Sequence, residues 1–380
     1  MKRLSRLGLG SLGLVALSAC GPGPLPAENP AQQEPSDPPI GVEVTNTAEA
    51  NPEPAVTPAP ALPEPVVEEP IVVTSDKGFK TPESVLFDPV GDRYLVSNIN
   101  GGPSELDNNG FISTVKPDGT VDNLEFIAGG KQGVTLNAPK GLAIHAGTLF
   151  VADISYVRRF DAATGAPQGS IAFPGATFIN DIAVDAEGTL YVTDSGIRIG
   201  PNGPTPTGTD AVYRVANGKV STLAKGKQLN GPNGVALFDG SVLTVTFGNK
   251  QLLRLSNKGT VEQTVELPAG SLDGLVVMPD GHLLVSSWET SSVYIGTLSG
   301  TWSAVAENLT APADIGFDPG RNRILVPLFT ENELRFVPAT VPGLPGDIAT
   351  APQDGNPPGA TPLAQAPEAN AATPASQTAQ

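Results

Sequence analysis

The stretch 272–288 reads LDGLVVMPDGHLLVSSW: a tight approach, a short apolar strand, a Pro-Asp-Gly turn and a second strand. The chain repeats this pattern. PESVLFDPVGDRYLVSNI starts at Pro82, PKGLAIHAGTLFVADI at Pro139, INDIAVDAEGTLYVTDS at Ile179, PNGVALFDGSVLTVTF at Pro232 and PADIGFDPGRNRILVPLF at Pro312. Six copies of one apolar hairpin point to a repeat architecture, because each unit can bury its faces only against its neighbours. The position just before the first strand of each copy reads Glu83, Lys140, Asn180, Asn233, Asp273 and Ala313, at spacings of 57, 40, 53, 40 and 40 residues. A minimum near 40 fits a four-stranded propeller blade, and the longer gaps fit blades that carry a loop. The expected fold class is all-β: a six-bladed β-propeller with four-stranded blades over residues 71–340. Inner strands of a propeller run in the same sense around a central channel, so these six positions meet at one mouth.

The second strands are expected at 94–97, 149–152, 190–193, 242–246, 283–286 and 324–327, with outer strands such as 211–215 and 220–223. Pro-Asp-Gly at Pro117–Asp118–Gly119 and at Pro279–Asp280–Gly281, and Ala-Glu-Gly at 186–188, mark turns. No window carries a sustained helical period. The sixth copy has an inner hairpin and then 333–337, while 71–74 precedes the first copy without a hairpin partner. These two segments are expected to pair, making 71–74 the outer strand of the last blade and joining the ends of the ring. The segment 197–209, rich in Gly, Pro and Thr, reads as a strandless loop able to overhang the mouth.

Both ends of the chain read differently. Lys2, Arg3 and Arg6 precede an apolar run from Leu7 to Leu17 that is too short to span a bilayer. The run ends in Leu17-Ser18-Ala19-Cys20, which matches the lipobox of bacterial lipoproteins, so 1–20 is read as a lipoprotein signal peptide and Cys20 as the lipidated residue. Cys20 is the only Cys in the chain, so it has no intramolecular disulfide partner. The expected location is the bacterial cell envelope, on the periplasmic side or the cell surface, with the membrane contacted through the N-terminal lipid alone. Residues 21–70 hold 14 Pro, nine Asp or Glu and no Lys or Arg, a composition that cannot offset its ordering entropy by burial and reads as a disordered linker. The Pro- and Ala-rich tail 341–380 reads the same way. Those two segments account for much of the formal net charge of −17. What remains is a mildly acidic domain without a basic run, which argues against a nucleic-acid partner.

The chemistry available is narrow. With two His in the chain, His145 and His282, a three-His zinc site is impossible. The sole Cys belongs to the signal, and neither a Gly-x-Ser-x-Gly elbow nor a phosphate-binding glycine loop is present. The mouth column remains. Carboxylate and Asn amide oxygens form a ligand set for a hard divalent cation: Glu83 and Asp273 bring charge, Asn180 and Asn233 neutral oxygens. Calcium leads, with zinc, manganese and magnesium as other candidates. Lys140 departs from a pure ligand set and suits pairing with Glu83 or Asp273, or an anionic substrate. Asp107-Asn108-Asn109-Gly110 matches the start of a calcium loop but lacks its downstream Glu, and reads as a polar turn.

Glu in the first copy (Pro82-Glu83-Ser84), Asn180-Asp181 in the third, Pro232-Asn233-Gly234 in the fourth and Leu272-Asp273-Gly274 in the fifth resemble the senescence-marker-protein, gluconolactonase and luciferin-regenerating-enzyme superfamily. The resemblance covers 71–340. It implies a six-bladed propeller in which Glu83, Asn233 and Asp273 ligate one divalent cation, Asn180 contacts substrate or metal, and Asp273 is also the catalytic base or metal-bound activator; Lys140, a departure from that pattern, is read from its own charge as a substrate contact. It implies hydrolysis of lactones or organophosphates. Lactonases of that group often carry Arg two residues before the third-copy Asn, where this chain has Phe178. The repeats are also similar to NHL-type propellers, which mostly bind partners without catalysis.

Two functions from different classes therefore stand at this stage. One is a metal-dependent hydrolase of a lactone or ester acting on a small molecule. The other is a non-catalytic propeller that binds a ligand or a protein partner. The lipobox carries its own test. Cys20→Ala is expected to block lipid attachment and release the protein from membranes in fractionation, because the acyl chains supply most of the anchoring free energy. Unchanged mass and unchanged membrane association would refute it.

Overall fold

The computed structural model describes residues 70–73 and 75–339. The signal segment with Cys20, the tail 341–380 and, apart from Pro70, the linker 21–70 lie outside the described residues. Six four-stranded antiparallel sheets follow one another along the chain. Blade 1 runs from inside out as Pro82–Asp88, Arg93–Asn98, Phe111–Val115 and Val121–Ala128. Blade 2 is Pro139–His145, Thr148–Asp153, Tyr156–Asp161 and Pro167–Ala172. Blade 3 is Ile179–Val184, Leu190–Asp194, Ala211–Ala216 and Lys219–Lys225. Blade 4 is Pro232–Phe238, Ser241–Thr246, Gln251–Leu255 and Val261–Glu266. Blade 5 is Leu272–Val277, Leu283–Ser287, Ser292–Gly296 and Ser303–Ala306. Blade 6 takes Gly316–Asp318, Arg323–Leu328 and Glu333–Pro338 from its own copy and borrows Ile71–Val73 as its outer strand. The six-bladed, all-β expectation is what forms, and the helices among the described residues are short 3₁₀ turns such as Lys227–Leu229.

The core is distributed. Apolar side chains form one layer between each pair of neighbouring blades, for example Ala143, Val157 and Phe173 against Ile179, Val192 and Tyr213 between blades 2 and 3. The layer between blades 6 and 1 holds Val73, Leu325 and Phe336 against Phe79, Val85 and Tyr94. The second strands, such as Ser241–Thr246, and the third strands Phe111–Val115 and Ser292–Gly296 are buried on both faces. Such strands lose hydrophobic alternation and read as continuous apolar runs. The outer strand Val261–Glu266 keeps it, alternating half-buried Val, Gln and Val with exposed Glu, Thr and Glu. Pro117-Asp118-Gly119 forms its turn with Gly119 at φ 87° and the Asp118 carboxylate accepting from the Thr120 N–H at 2.8 Å.

Ring closure follows the expected pairing, with Ile71 opposite Phe336, Val72 opposite Arg335 and Val73 opposite Leu334. A second seam lies at the axis. The Asp314 N–H donates to the Glu83 carbonyl at 2.8 Å, the Val85 N–H to the Asp314 carbonyl at 3.3 Å, and Ser84 Oγ to Asp314 Oδ2 at 2.5 Å. In the sixth copy Pro312 and Ala313 still bond to Leu328 and Pro327 of their own blade, Asp314 turns aside to pair with Ser84 of blade 1, and the regular inner strand starts at Gly316. One expectation needs correction: 197–209 is not strandless. Ile197–Gly200 pairs with Gly203–Pro206 as a separate hairpin, nailed at its base by the Asp194 carboxylate, which accepts from the Thr177, Phe178 and Gly196 N–H groups.

Deleting 71–73 removes a strand and takes Val73 out of the blade 6 and 1 layer. Burial of one Val is worth about 1.5–3 kcal/mol. Thermal unfolding should therefore move down by about 3–12 °C, with loss of cooperativity, and a deletion variant melting like the full chain would refute closure at this seam.

Candidate functional site at the channel mouth

The mouth is built on backbone irregularities. In blades 1 to 5 the pairing of the innermost strand with its neighbour slips at the start: between Pro82 and Ser84, Pro139 and Leu142, Ile179 and Ile182, Pro232 and Val235, and Leu272 and Leu275. Glu83, Lys140, Asn180, Asn233 and Asp273 all sit in these slips, and bulges of this kind re-aim side chains. The freed N–H groups are satisfied by hydroxyls one strand out. Ser97, Thr193 and Ser286 accept from the N–H groups of Ser84, Asp181 and Gly274 at 2.9, 3.0 and 2.8 Å. Thr193 and Ser286 then donate to the Asn233 and Ala313 carbonyls of the next blade at 2.7 and 2.8 Å. The strands approach closely here. A Cβ on Gly141 would lie 2.3 Å from Asp181 Oδ1, and one on Gly274 would lie 2.4 Å from the Ile315 nitrogen, so both positions need glycine.

All five polar residues of the column are at least 95% buried. Glu83 and Asp273 are brought together: burial, then Asp273 and Asp314, push the Glu83 carboxyl well above the usual carboxylate range. Burial pushes Asp273 up to about 7, partly opposed by the side chains of Trp288 and Asn233 that face it. Trp288 Nε1 nonetheless makes no well-formed hydrogen bond, and Glu83 Oε2 and Asp273 Oδ1 are buried without a hydrogen-bond partner. Lys140 is 1% exposed. Its Nζ donates to the Ala138 carbonyl at 3.0 Å and lies 4.4 Å from the centre of the Phe178 ring. Burial lowers its amine to about 8 against the raising pull of Glu83 and Asp153. Lys140 and Phe178, the two departures in the sequence, are thus one cation–π contact. Asn180 makes its side-chain bond to Ser195 Oγ at 3.0 Å rather than to either carboxylate.

Two acids were absent from the candidate set. Asp181 and Asp314 occupy the next position along their copies and are also buried. Asp181 accepts from the Ile182 and Val235 N–H groups, both at 2.7 Å, and burial pushes it to about 6. Burial pushes Asp314 well up as well, with Asp181 and Asp273 adding to it. Both acids line a cavity of about 520 Å³ that runs along the inner strands towards their far ends, past Leu86, Leu142, Val184, Val276 and Phe317. The sequence signal for these acids was an Asp directly after the aligned column in copies three and six. The Asp107 segment behaves as a turn: Asn108 exchanges hydrogen bonds with Asn137 and Leu136. His282, bonded to Asp280, lies in a turn between first and second strands, and His145 at the far end of its strand, both away from the mouth.

Do these residues fit a cation? No group of three or more His, Cys, Asp or Glu side chains among the described residues is disposed to hold one, so a site here needs the Asn233 amide oxygen as third donor. The donor chemistry fits. Two partnerless, buried carboxylate oxygens repel one another unless a proton or a cation lies between them, and oxygen-only donors suit a hard cation.

The fold recurs among solved structures. A gluconolactonase from Xanthomonas campestris aligns over 69% of this chain and 87% of its own, at 19% identity and a TM-score of 0.53. A luciferin-regenerating enzyme aligns over 73% of this chain and 98% of its own, at 13% identity and a TM-score of 0.54. A catalytically inactive histidine variant of virginiamycin B lyase from Staphylococcus aureus, solved with quinupristin, aligns over 72% and 99%, at 12% identity and a TM-score of 0.52. Neither a protein-family model nor a curated protein matches the chain. The protein is a six-bladed propeller with a charged axial mouth, of the fold that gluconolactonase and luciferin-regenerating enzyme share. The resemblance read from the sequence holds at that level.

Carboxyls raised above their unfolded range take up protons on folding, so their burial destabilises the protein increasingly as pH rises from about 4 towards the folded values. With EDTA present, the melting temperature should fall between pH 5 and pH 8 by more than about 2–4 °C, the shift given by roughly 1 kcal/mol in a domain of this size. Asp273→Asn should reduce that slope in a fluorimetric melt series; an identical slope would contradict the burial argument.

Proposed function

We propose that this protein is a divalent-cation-dependent hydrolase of a lactone or ester, held at the bacterial cell envelope by lipid on Cys20. The observation that supports this reading most is the pair of buried, partnerless oxygens, Glu83 Oε2 and Asp273 Oδ1, at the axial mouth. Glu83, Asn233 and Asp273 would hold the cation, calcium first. Bound there, it would polarise the substrate carbonyl and acidify water. Asp273 accepts the proton of the attacking water and returns it to the leaving oxygen as the carbonyl carbon–oxygen bond breaks, giving a hydroxy acid from a lactone. Lys140, charged below about pH 8, faces the negative charge that grows on the carbonyl oxygen. Asn180, held by Ser195, lies in the same ring of strand starts and would orient the substrate. The lyase likeness supports a different chemistry less well, because both histidines lie away from the mouth.

Lys140 also favours a second reading, a propeller that binds a small ligand or a protein without turning it over. Its charge offsets one carboxylate and weakens the demand for a cation. One experiment separates the two: a lactone and ester panel run with calcium, manganese or EDTA, beside thermal melts. The hydrolase reading expects cation-dependent turnover, together with a melting temperature that rises by several degrees at saturating cation. Asp273→Ala should lose both, and Asp107→Ala should keep both. An Asp273→Ala protein with the wild-type cation shift would overturn the site, and a bound ligand without turnover would favour the second reading.

A further inference from the structure

One more column encircles the mouth. The residue that directly follows the second strand of each blade reads Ile99, Ile154, Ser195, Phe247, Trp288 and Phe329. Five of the six share a backbone contact. Ile99, Ser195, Phe247, Trp288 and Phe329 donate their N–H groups to the carbonyls of Thr81, Phe178, Gly231, Ser271 and Ala311, each two residues before a column position. The collar therefore sits at the level of the strand starts. Its three aromatics come from consecutive blades and touch. Phe247 meets Trp288 edge-on at 5.6 Å between ring centres, and Trp288 meets Phe329 at 5.1 Å. Phe329 continues onto Ile99, Ala138 and Ile154. All three aromatics are half-buried rather than sealed in.

The loops make the mouth lopsided. The segments after the second strands are long in blade 1 (99–110) and blade 3 (195–210) and short in blades 4, 5 and 6 (247–250, 288–291 and 329–332). The two long ones meet across the sector of blade 2, where the Ile199 N–H donates to Ser104 Oγ at 3.0 Å. The short loops of blades 4, 5 and 6 fall on the aromatic side. A molecule entering there has an apolar wall along one flank and charged Glu83, Asp273 and Lys140 beneath. Among the six collar residues only Ser195 carries a hydroxyl, and it is already engaged with Asn180 and the Pro232 carbonyl.

Resting on the hydrolase reading of this mouth, we propose that its substrate is an amphiphilic lactone or ester. The polar carbonyl goes to the charged floor, and an alkyl or aryl substituent lies against Phe247, Trp288 and Phe329. A polyhydroxylated sugar lactone is the wrong partner, because its hydroxyls would lose water against this wall without gaining hydrogen bonds. The aromatic wall is a specificity device: each methylene it covers adds to binding, up to about fourfold when fully buried.

The chain has two Trp, so in a Trp302→Phe protein the emission reports Trp288 alone. The probes are 5-pentylpyrrolidin-2-one, a lactam that resists hydrolysis, and unsubstituted pyrrolidin-2-one. The expected result is a saturable change in Trp288 emission with the pentyl lactam at a Kd at least about tenfold below that of the plain lactam. Phe247→Ala and Phe329→Ala should bring the two within about twofold, while Phe247→Leu, which keeps apolar area and spares the fold, should retain most of the preference. Turnover is measured separately on γ-lactones with and without a pentyl group and on glucono-1,5-lactone. Equal affinity for the two lactams, no saturable signal, or a preference for the sugar lactone would overturn the proposal. Tail-dependent binding without turnover of any lactone would leave the wall standing and refute the hydrolase reading instead.

Discussion

In five of the six blades the first residues of the innermost strand leave regular pairing with the strand behind it. The slips at Glu83, Lys140, Asn180, Asn233 and Asp273 are where that happens. The unpaired backbone groups would cost stability if left alone. Ser97, Thr193 and Ser286 accept from them, and Thr193 and Ser286 pass a hydrogen bond to the following blade. The irregularities whose hydrogen bonds tie neighbouring blades together at the axis are therefore also the ones that carry the polar column. Architecture and candidate chemistry share one cause.

Crowding at the axis then sets the electrostatics. Glu83, Asp181, Asp273 and Asp314 are buried within reach of one another's charge, with Lys140 as the cation among them. Asp181 is held by backbone N–H groups and Asp314 by Ser84. Those two belong to the packing of the ring, which they tie across blades 3 and 4 and blades 6 and 1. Glu83 Oε2 and Asp273 Oδ1 have no such support. The distinction separates acids that staple the channel from acids that await a proton, a cation or a substrate. Lys140 stays beside them because the Phe178 face and the Ala138 carbonyl hold its ammonium.

Much of this was legible in the chain. The sixfold hairpin, the strand positions and the pairing of 71–73 with the last blade follow from hydrophobic spacing, since each copy is one local unit and the leftover strands have only each other. The mouth column was legible for the same reason: a register shared by six copies converges in any closed ring. The hairpin inside 197–209 was not, because Gly, Pro and Thr give no apolar period, and its strands are exposed on their outer faces.

The sequence by itself determined the repeat, the number of blades and which side chains would share the mouth, because these depend on local periodicity. Only the tertiary structure decided which of them act together. Glu83 and Asp273 are far apart along the chain, and so are Phe247, Trp288 and Phe329. Whether two buried carboxylates come within reach of each other's charge, or three rings touch in a row, is set by where bulges and closure bring separate blades. Burial, which is what lifts the carboxyls and lowers the lysine, exists only once the ring has shut water out.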